Sequence, residues 1–137
     1  MANTRGTQMT RLDTGTPPDP GFVDGSVRVF NEEITLAAQA IGDTIEVARL
    51  PKGAVPLYGV IVPDTSLATA EIAIGVSGTA GKYRTSATLT ATTPELFGVT
   101  GGVGGALTAE ETVIATVGVA ALPASGTLRV MFFYSFN

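Results

Sequence analysis

The feature that most constrains this chain is a two-residue alternation of apolar and polar side chains, broken at short intervals by Gly-, Pro- and Asp-containing turns. Successive side chains of a β-strand point to opposite faces, so this period is typical of strands that bury one face. Seven or eight such segments follow one another at intervals of roughly 10–15 residues, without helices between them. The pattern predicts an all-β fold: an antiparallel β-sandwich of jelly-roll type.

The alternation also places the individual strands. We predict strands over residues 27–36, 44–50, 55–62, 70–76, 85–91, 111–119 and 127–136. In the first, the apolar phase shifts around residues 31–33 (Asn31-Glu32-Glu33), which suggests a bulge. Residues 93–97 are expected to form a helical turn capped by Thr93, with Pro94 at its first position. Residues 32–41 also fit a short amphipathic helix, but the extended segment before them favours a strand followed by a loop.

The composition changes near residue 25. Residues 1–25 are rich in Thr, Gly and Pro, and the run PPDPG at residues 17–21 excludes both a helix and a central strand. We therefore predict an extended N-terminal arm over residues 1–25, with a disordered terminus as the alternative, and a β-sandwich domain over residues 26–137. Phe22 and Val23 are the apolar residues expected to anchor the arm to a neighbouring surface.

The residue types that are missing limit the possible chemistry. The chain has no Cys and no His, which excludes disulfides and thiolate nucleophiles and removes the commonest general base and metal ligand. We expect no cofactor and no metal. Twelve acidic and eight basic residues give a net charge of −4, so the basic surface typical of nucleic-acid binding is not expected.

No membrane partner is expected either. The longest nearly unbroken apolar stretch, residues 112–124, is well short of the roughly 20 residues that span a bilayer. Residues 1–11 are polar and lack the apolar core of a signal peptide, so synthesis in a cytoplasm is expected.

No motif for catalysis or nucleotide binding is complete. The glycine-rich segment 98–105 has Leu107 where a dinucleotide fingerprint needs Gly, and GTAGKY at residues 78–83 lacks the Ser or Thr that follows Lys in a phosphate loop. The carboxylate pairs Glu32–Glu33 and Glu110–Glu111 are adjacent in strands and point to opposite faces, so neither pair can act on one substrate. We predict that the chain is not an enzyme.

The last strand has two apolar faces. One face carries Leu128, Val130, Phe132, Tyr134 and Phe136 and is expected to be core. On the other face, Met131 and Phe133 are too apolar for full exposure to water, so either a neighbouring loop or another protein is expected to cover them. They are the candidate interface residues of the sandwich.

Three segments carry a resemblance to a known group of proteins. Residues 42–55 (GDTIEVARLPKGAV) contain a strand, a Leu-Pro-x-Gly-Ala turn at residues 50–54, and the start of a second apolar strand. Together with AEIAIGV at residues 70–76 and VMFFY at residues 130–134, they resemble small virion structural proteins of tailed bacteriophages. The similarity covers most of residues 26–137.

The resemblance implies a jelly-roll capsid decoration (cement) protein that sits as a homotrimer on the outer capsid surface and stabilises the head by bridging subunits of the major capsid protein. No catalytic residues are carried over from these proteins. A head–tail connector or a tail or fibre component is the alternative within the same class, and a glycan-binding jelly-roll module is the alternative from another class.

Overall fold

The computed structural model describes residues 9, 11, 14–17, 26–98 and 105–136, and the last two ranges form eight β-strands. The strands are β1 (Ser26–Thr35), β2 (Thr44–Leu50), β3 (Val55–Pro63), β4 (Glu71–Val76), β5 (Thr79–Thr88), β6 (Glu95–Phe97), β7 (Glu111–Gly118) and β8 (Thr127–Phe136).

The strands make two four-stranded sheets, and every neighbouring pair is antiparallel. The first sheet has the order β1-β8-β3-β6 and the second has the order β2-β7-β4-β5. Only β4 and β5 are consecutive neighbours within a sheet, whereas each of the other connections crosses from one sheet to the other. Eight antiparallel strands connected in this way form a jelly roll, and the predicted fold class is confirmed.

The core lies between the two sheets and is apolar from both sides. Phe132 of β8 is fully buried, with Tyr83 of β5 packed edge-on at 5.0 Å and Phe97 of β6 at 5.9 Å between ring centroids. Aliphatic side chains of both sheets surround this aromatic cluster, among them Leu50, Ile61, Ile72, Ile74, Val113, Leu128 and Val130, none of which is exposed. The inward face predicted for β8 is the face the fold buries.

The first strand differs from its prediction. β1 pairs with β8 in one unbroken register from Ser26↔Phe136 to Thr35↔Thr127, so the predicted bulge does not occur. Because the register is regular, Phe30 and Ile34 face the core while Val27 and Val29 point outward, 64% and 49% exposed. The segment then leaves the strand as a loop, as expected, and does not form the alternative helix.

The region after β4 is the second difference. β5 starts at Thr79 rather than at residue 85, and the predicted helical turn at residues 93–97 is wrong, because Glu95–Phe97 form β6 and pair with β3. The cause is a tertiary packing contact. Phe97 lies against Gly59 of β3, where an added Cβ would overlap its ring, so burial of this ring fixes the segment as an edge strand.

The turn that carries the resemblance is closed by backbone bonds. Ala54 N–H donates to the carbonyl of Pro51 at 3.1 Å, and Gly53 N–H donates to the carbonyl of Leu107 at 2.8 Å. Gly53 has a φ of 91°, a conformation that glycine adopts without steric cost. The Leu-Pro-x-Gly-Ala sequence thus matches the turn that joins β2 to β3.

Candidate interaction surface

The outward side of the first sheet carries a group of apolar side chains that no other described strand covers. The register places Val29 opposite Phe133 and Phe133 opposite Tyr58. One step along the sheet, Met131 lies opposite Val60, and Val60 lies opposite Leu96. We call this group the outer apolar face; its members are Val29, Tyr58, Val60, Leu96, Met131 and Phe133.

The two interface residues predicted for β8 lie in the middle of this face. Phe133 stacks on Tyr58 with 5.0 Å between ring centroids and 22° between ring planes. Both Met131 and Phe133 are half-buried by side chains of β1 and β3. The other two candidates, Phe22 and Val23, lie outside the described residues. Leu96, which is 61% exposed, extends the face and was missed because its segment was predicted to be helical.

A polar network borders the outer apolar face at one end. The Arg129 guanidinium donates to Asn31 Oδ1 at 2.9 Å and to Glu33 Oε2 at 2.7 Å. Both partners belong to β1, so the network joins β1 to β8 on the outward side. The arrangement of an apolar centre with a hydrogen-bonded polar border is typical of a surface that another protein covers.

A second feature lies where β1, an edge strand of the first sheet, approaches β2, an edge strand of the second sheet. A cleft of about 450 Å³ is lined by Phe30 and Glu32 of β1, by Glu46 and Arg49 of β2, and by Glu110 before β7, among others. Arg49 pairs with Glu46 at 3.5 Å, and neither Glu32 nor Glu110 makes an ion pair with a described residue. We call this the acidic cleft.

The acidic cleft brings together two carboxylates that the sequence pattern did not connect. The two carboxylate pairs do split, because Glu33 faces Arg129 on the outward side and Glu111 faces Lys82 on another surface. However, one carboxylate of each pair, Glu32 and Glu110, lines the same cleft. The pattern of adjacent residues could not indicate this, since Glu32 in β1 and Glu110 just before β7 are far apart in the sequence.

The most buried charge in the described chain is structural. Arg84 of β5 is 7% exposed and donates to the carbonyls of Ile72, Ala87 and Thr88. Its guanidinium also contacts Glu95 of β6 at 2.9 Å, so it connects the second sheet to the first. A buried guanidinium that is fully supplied with acceptors holds strands in place and has no donor left for a substrate.

A buried phenol is the remaining ionisable group of interest. Tyr83 donates a hydrogen bond to Glu111, whose other oxygen accepts from Lys82 at 2.6 Å. Burial raises the pKa of Tyr83 well above its usual range, and the hydrogen bond to Glu111 and its negative charge act in the same direction. The phenol stays protonated at neutral pH and is not activated as a nucleophile or a base.

No catalytic arrangement emerges from these contacts. Among residues 26–98 and 105–136 and the few described before them, no three acidic side chains come together as metal ligands. No helix in the described part of the chain is long and apolar enough to cross a membrane. The outer apolar face and the acidic cleft are both suited to contact with other proteins.

Comparison with known proteins gives a fold likeness. No protein-family model matches the chain, and neither does any curated protein. Among solved structures, a chain of the cyanophage Pam1 capsid asymmetric unit has a TM-score of 0.68 and 20% identity, over 100% of this chain and 92% of that one. A chain of the Ralstonia phage GP4 capsid has a TM-score of 0.68 and 22% identity, over 82% of this chain and 86% of that one.

A third likeness has lower identity. A chain of the acidic stable capsid structure of Helicobacter pylori bacteriophage KHP30 has a TM-score of 0.61 and 14% identity, over 82% of this chain and 90% of that one. In all three cases the likeness runs over most of both chains, so the matched chains are also small. The shared property at these identities is the β-sandwich fold.

Proposed function

We propose that this chain is a structural, non-enzymatic protein of a phage virion, and that within the virion it is a decoration protein that binds the outside of the capsid and bridges shell subunits. The observation that carries the proposal is the likeness of its jelly roll, over most of both chains, to small chains in three phage capsid structures. The predicted virion resemblance of residues 42–55, 70–76 and 130–134 points the same way.

The outer apolar face is the proposed contact with the major capsid protein. Fully burying one large aliphatic side chain contributes about 1.5–3 kcal/mol, so a few side chains such as Val29 and Leu96 supply useful affinity after the entropy of association is subtracted. Because a decoration protein contacts more than one shell subunit, its contacts resist separation of those subunits under internal pressure. This action needs buried area and no chemical step.

The charge of the chain fits a position outside the shell. With a net charge of −4, the protein has no net electrostatic attraction to packaged DNA. The predicted N-terminal arm, anchored by Phe22 and Val23, is proposed to extend onto a neighbouring subunit. The homotrimer that the resemblance implies remains a prediction.

The test of the proposal is binding of the purified protein to capsids that lack it. Leu96→Asp places a charge on the β6 side of the proposed contact. We expect it to weaken binding by at least about tenfold, because the apolar burial is lost and a carboxylate is desolvated. Ile41→Asp is the matched control, since Ile41 is also 61% exposed but lies in the loop between β1 and β2.

Equal binding by the two variants would exclude the outer apolar face as the capsid contact. Failure of the unmodified protein to bind capsids at all would contradict the decoration role itself. The alternative of a connector, tail or fibre component predicts binding to those parts of the particle and not to the shell.

A further inference from the structure

The edge of β1 that pairs with no described strand differs from the other such edges of the two sheets. An unpaired edge invites pairing with another chain, and proteins commonly block it with short strands, bulges, Pro or Lys. Among the described strands, β6 has only three residues, β2 is interrupted by a register shift between Glu46 and Ala48, and the ladder of β5 with β4 is irregular at two points.

None of these protections is found in β1. It has 10 residues, keeps one register along its whole length, and contains no Pro, Gly or Lys in its sequence SVRVFNEEIT. Val27 and Val29 are exposed on its outward side. Its inward side carries two charges, Arg28 and Glu32, and an inward charge on an edge strand ordinarily prevents pairing unless the partner supplies the opposite charge.

A second copy of β1 supplies that opposite charge. When two identical strands pair antiparallel about a two-fold axis perpendicular to the sheet, a residue and the residue opposite it must share a face. An axis at Phe30 satisfies this condition and places Arg28 of each copy opposite Glu32 of the other. The paired segment then extends from residue 26 to residue 34, nearly the whole strand.

Other registers lack this match. An axis at Arg28 or at Glu32 brings like charges face to face, and the intermediate positions leave each charge opposite an uncharged residue. Like charges directly opposite one another destabilise a strand pair, whereas opposite charges stabilise it. The charge pattern of β1 therefore selects one register.

The acidic cleft gives a second reason for the same contact. Its lining includes Phe30 and Glu32 on the inward side of β1, together with Glu46 and Glu110, and two of these three carboxylates have no described cationic partner. In the Phe30-centred register, the partner's Arg28 arrives on this side, opposite Glu32. A guanidinium there meets the excess negative charge of the cleft.

We propose that the protein forms a two-fold dimer by antiparallel pairing of β1 with β1, with Phe30 at the axis and Arg28 of each copy opposite Glu32 of the other. The dimer joins the first sheets of both copies into one continuous sheet. It gives an even-numbered assembly in place of the homotrimer expected from sequence, and it does not depend on the proposed virion role.

The outer apolar faces of the two copies lie on the same side of the joined sheet. A dimer can therefore present both faces to a capsid at once, and the two contacts do not compete. Leu96→Asp should leave dimerisation unchanged, so failure of capsid binding and failure of dimerisation are separate results.

The experiment uses charge reversal in the full chain. By sedimentation velocity at micromolar concentration, the unmodified protein should have twice the chain mass of 13.9 kDa. Arg28→Glu and Glu32→Arg each convert two ion pairs into two like-charge contacts, and each should weaken dimerisation on the order of tenfold or more. Lys52→Glu, an exposed charge reversal in the turn between β2 and β3, is the matched control and should dimerise normally.

Mixing the two single variants makes the test specific. R28E carries Glu at both positions and E32R carries Arg at both, so each is mismatched with itself and matched with the other. An equimolar mixture should form heterodimers, and the double variant R28E/E32R should recover homodimers. Thermal unfolding of each variant confirms that it is folded.

Three results would overturn the proposal: a monomer at about 100 μM, a stable trimer, or a dimer that neither reversal weakens. Heterodimers that fail to form from the mixed variants would also exclude the Phe30-centred register.

Discussion

Replacing Arg84 should destabilise the sandwich more than replacing its ion-pair partner, Glu95. Arg84 donates to three backbone carbonyls as well as to Glu95, and it connects β4 and β5 to β6. Arg84→Met keeps a side chain of similar length and removes every donor. Glu95→Gln keeps an acceptor oxygen and removes only the charge.

The loss of unfolding free energy depends on whether water can reach the carbonyl oxygens that lose the Arg84 donor. The carbonyl of Ile72 belongs to a residue with no exposed surface, and an unsatisfied buried acceptor costs about 1–3 kcal/mol. The carbonyls of Ala87 and Thr88 are nearer the surface and add less. We expect Arg84→Met to lower the free energy of unfolding by about 2–4 kcal/mol. The Glu95 side chain is 48% exposed, so Glu95→Gln should cost less than about 1 kcal/mol.

Thermal and urea unfolding followed by circular dichroism measure the difference. For a domain of this length, 1 kcal/mol corresponds to roughly 3–5 °C, so Arg84→Met should lower Tm by about 10 °C and Glu95→Gln by a few degrees. The double variant R84M/E95L tests the mechanism, because it removes both charges and leaves the carbonyl of Ile72 without its guanidinium donor. Equal losses from the two single variants, or recovery of stability in the double variant, would show that the ion pair and not the carbonyl contacts stabilises this region.

Two more predictions concern substitutions at individual positions. Gly75→Ala should lower the free energy of unfolding by about 1–3 kcal/mol, because an added Cβ would overlap the backbone of Thr79 and Ala80. Gly118→Ala should change it by less than about 0.5 kcal/mol, since its nearest neighbour would be Ser86 Oγ at 3.5 Å; urea titrations that rank the two variants in the opposite order would contradict the packing. Because the pKa of Tyr83 is raised in the folded state, the folded chain keeps a proton that the unfolded chain releases, so this group's contribution to stability should fall as the pH rises above about 10. Tyr83→Phe should show a weaker decline between pH 9 and pH 11 in the same titrations, and identical slopes for the two proteins would count against a raised pKa.

The local alternation of apolar and polar residues was sufficient to predict the strands that bury one face completely. In β8, alternate residues from Leu128 to Tyr134 are buried as predicted, because that strand is central and both neighbours hold its register. In β4, which was predicted as a strand, Ile72 and Ile74 are also buried, because this strand too has a neighbour on each side. Edge strands are harder to predict because only one neighbour constrains them. Val27 and Val29 are as apolar as core residues, yet the register with β8 places them outside.

Long-range contacts determine the segments and sites that the local alternation of apolar and polar residues could not predict. Arg84 and Lys82 make residues 79–84 look like a polar loop, but their partners Glu95 and Glu111 allow the segment to form half of a strand. The acidic cleft gathers Glu32, Glu46 and Glu110 from three separate segments. Of the six residues of the outer apolar face, only Met131 and Phe133 were predicted, because they lie together on β8, whereas Leu96 reaches the face through β6.

The central proposal is that this chain is part of a capsid exterior, and quantitative mass spectrometry of purified phage particles tests it most directly. The count of this chain per particle is compared with the count of the shell subunit in the same sample. A decoration protein predicts a fixed ratio close to the number of shell subunits or a simple fraction of it. A handful of copies per particle would assign the chain to a neck, tail or fibre, and its absence from purified particles would contradict a virion role.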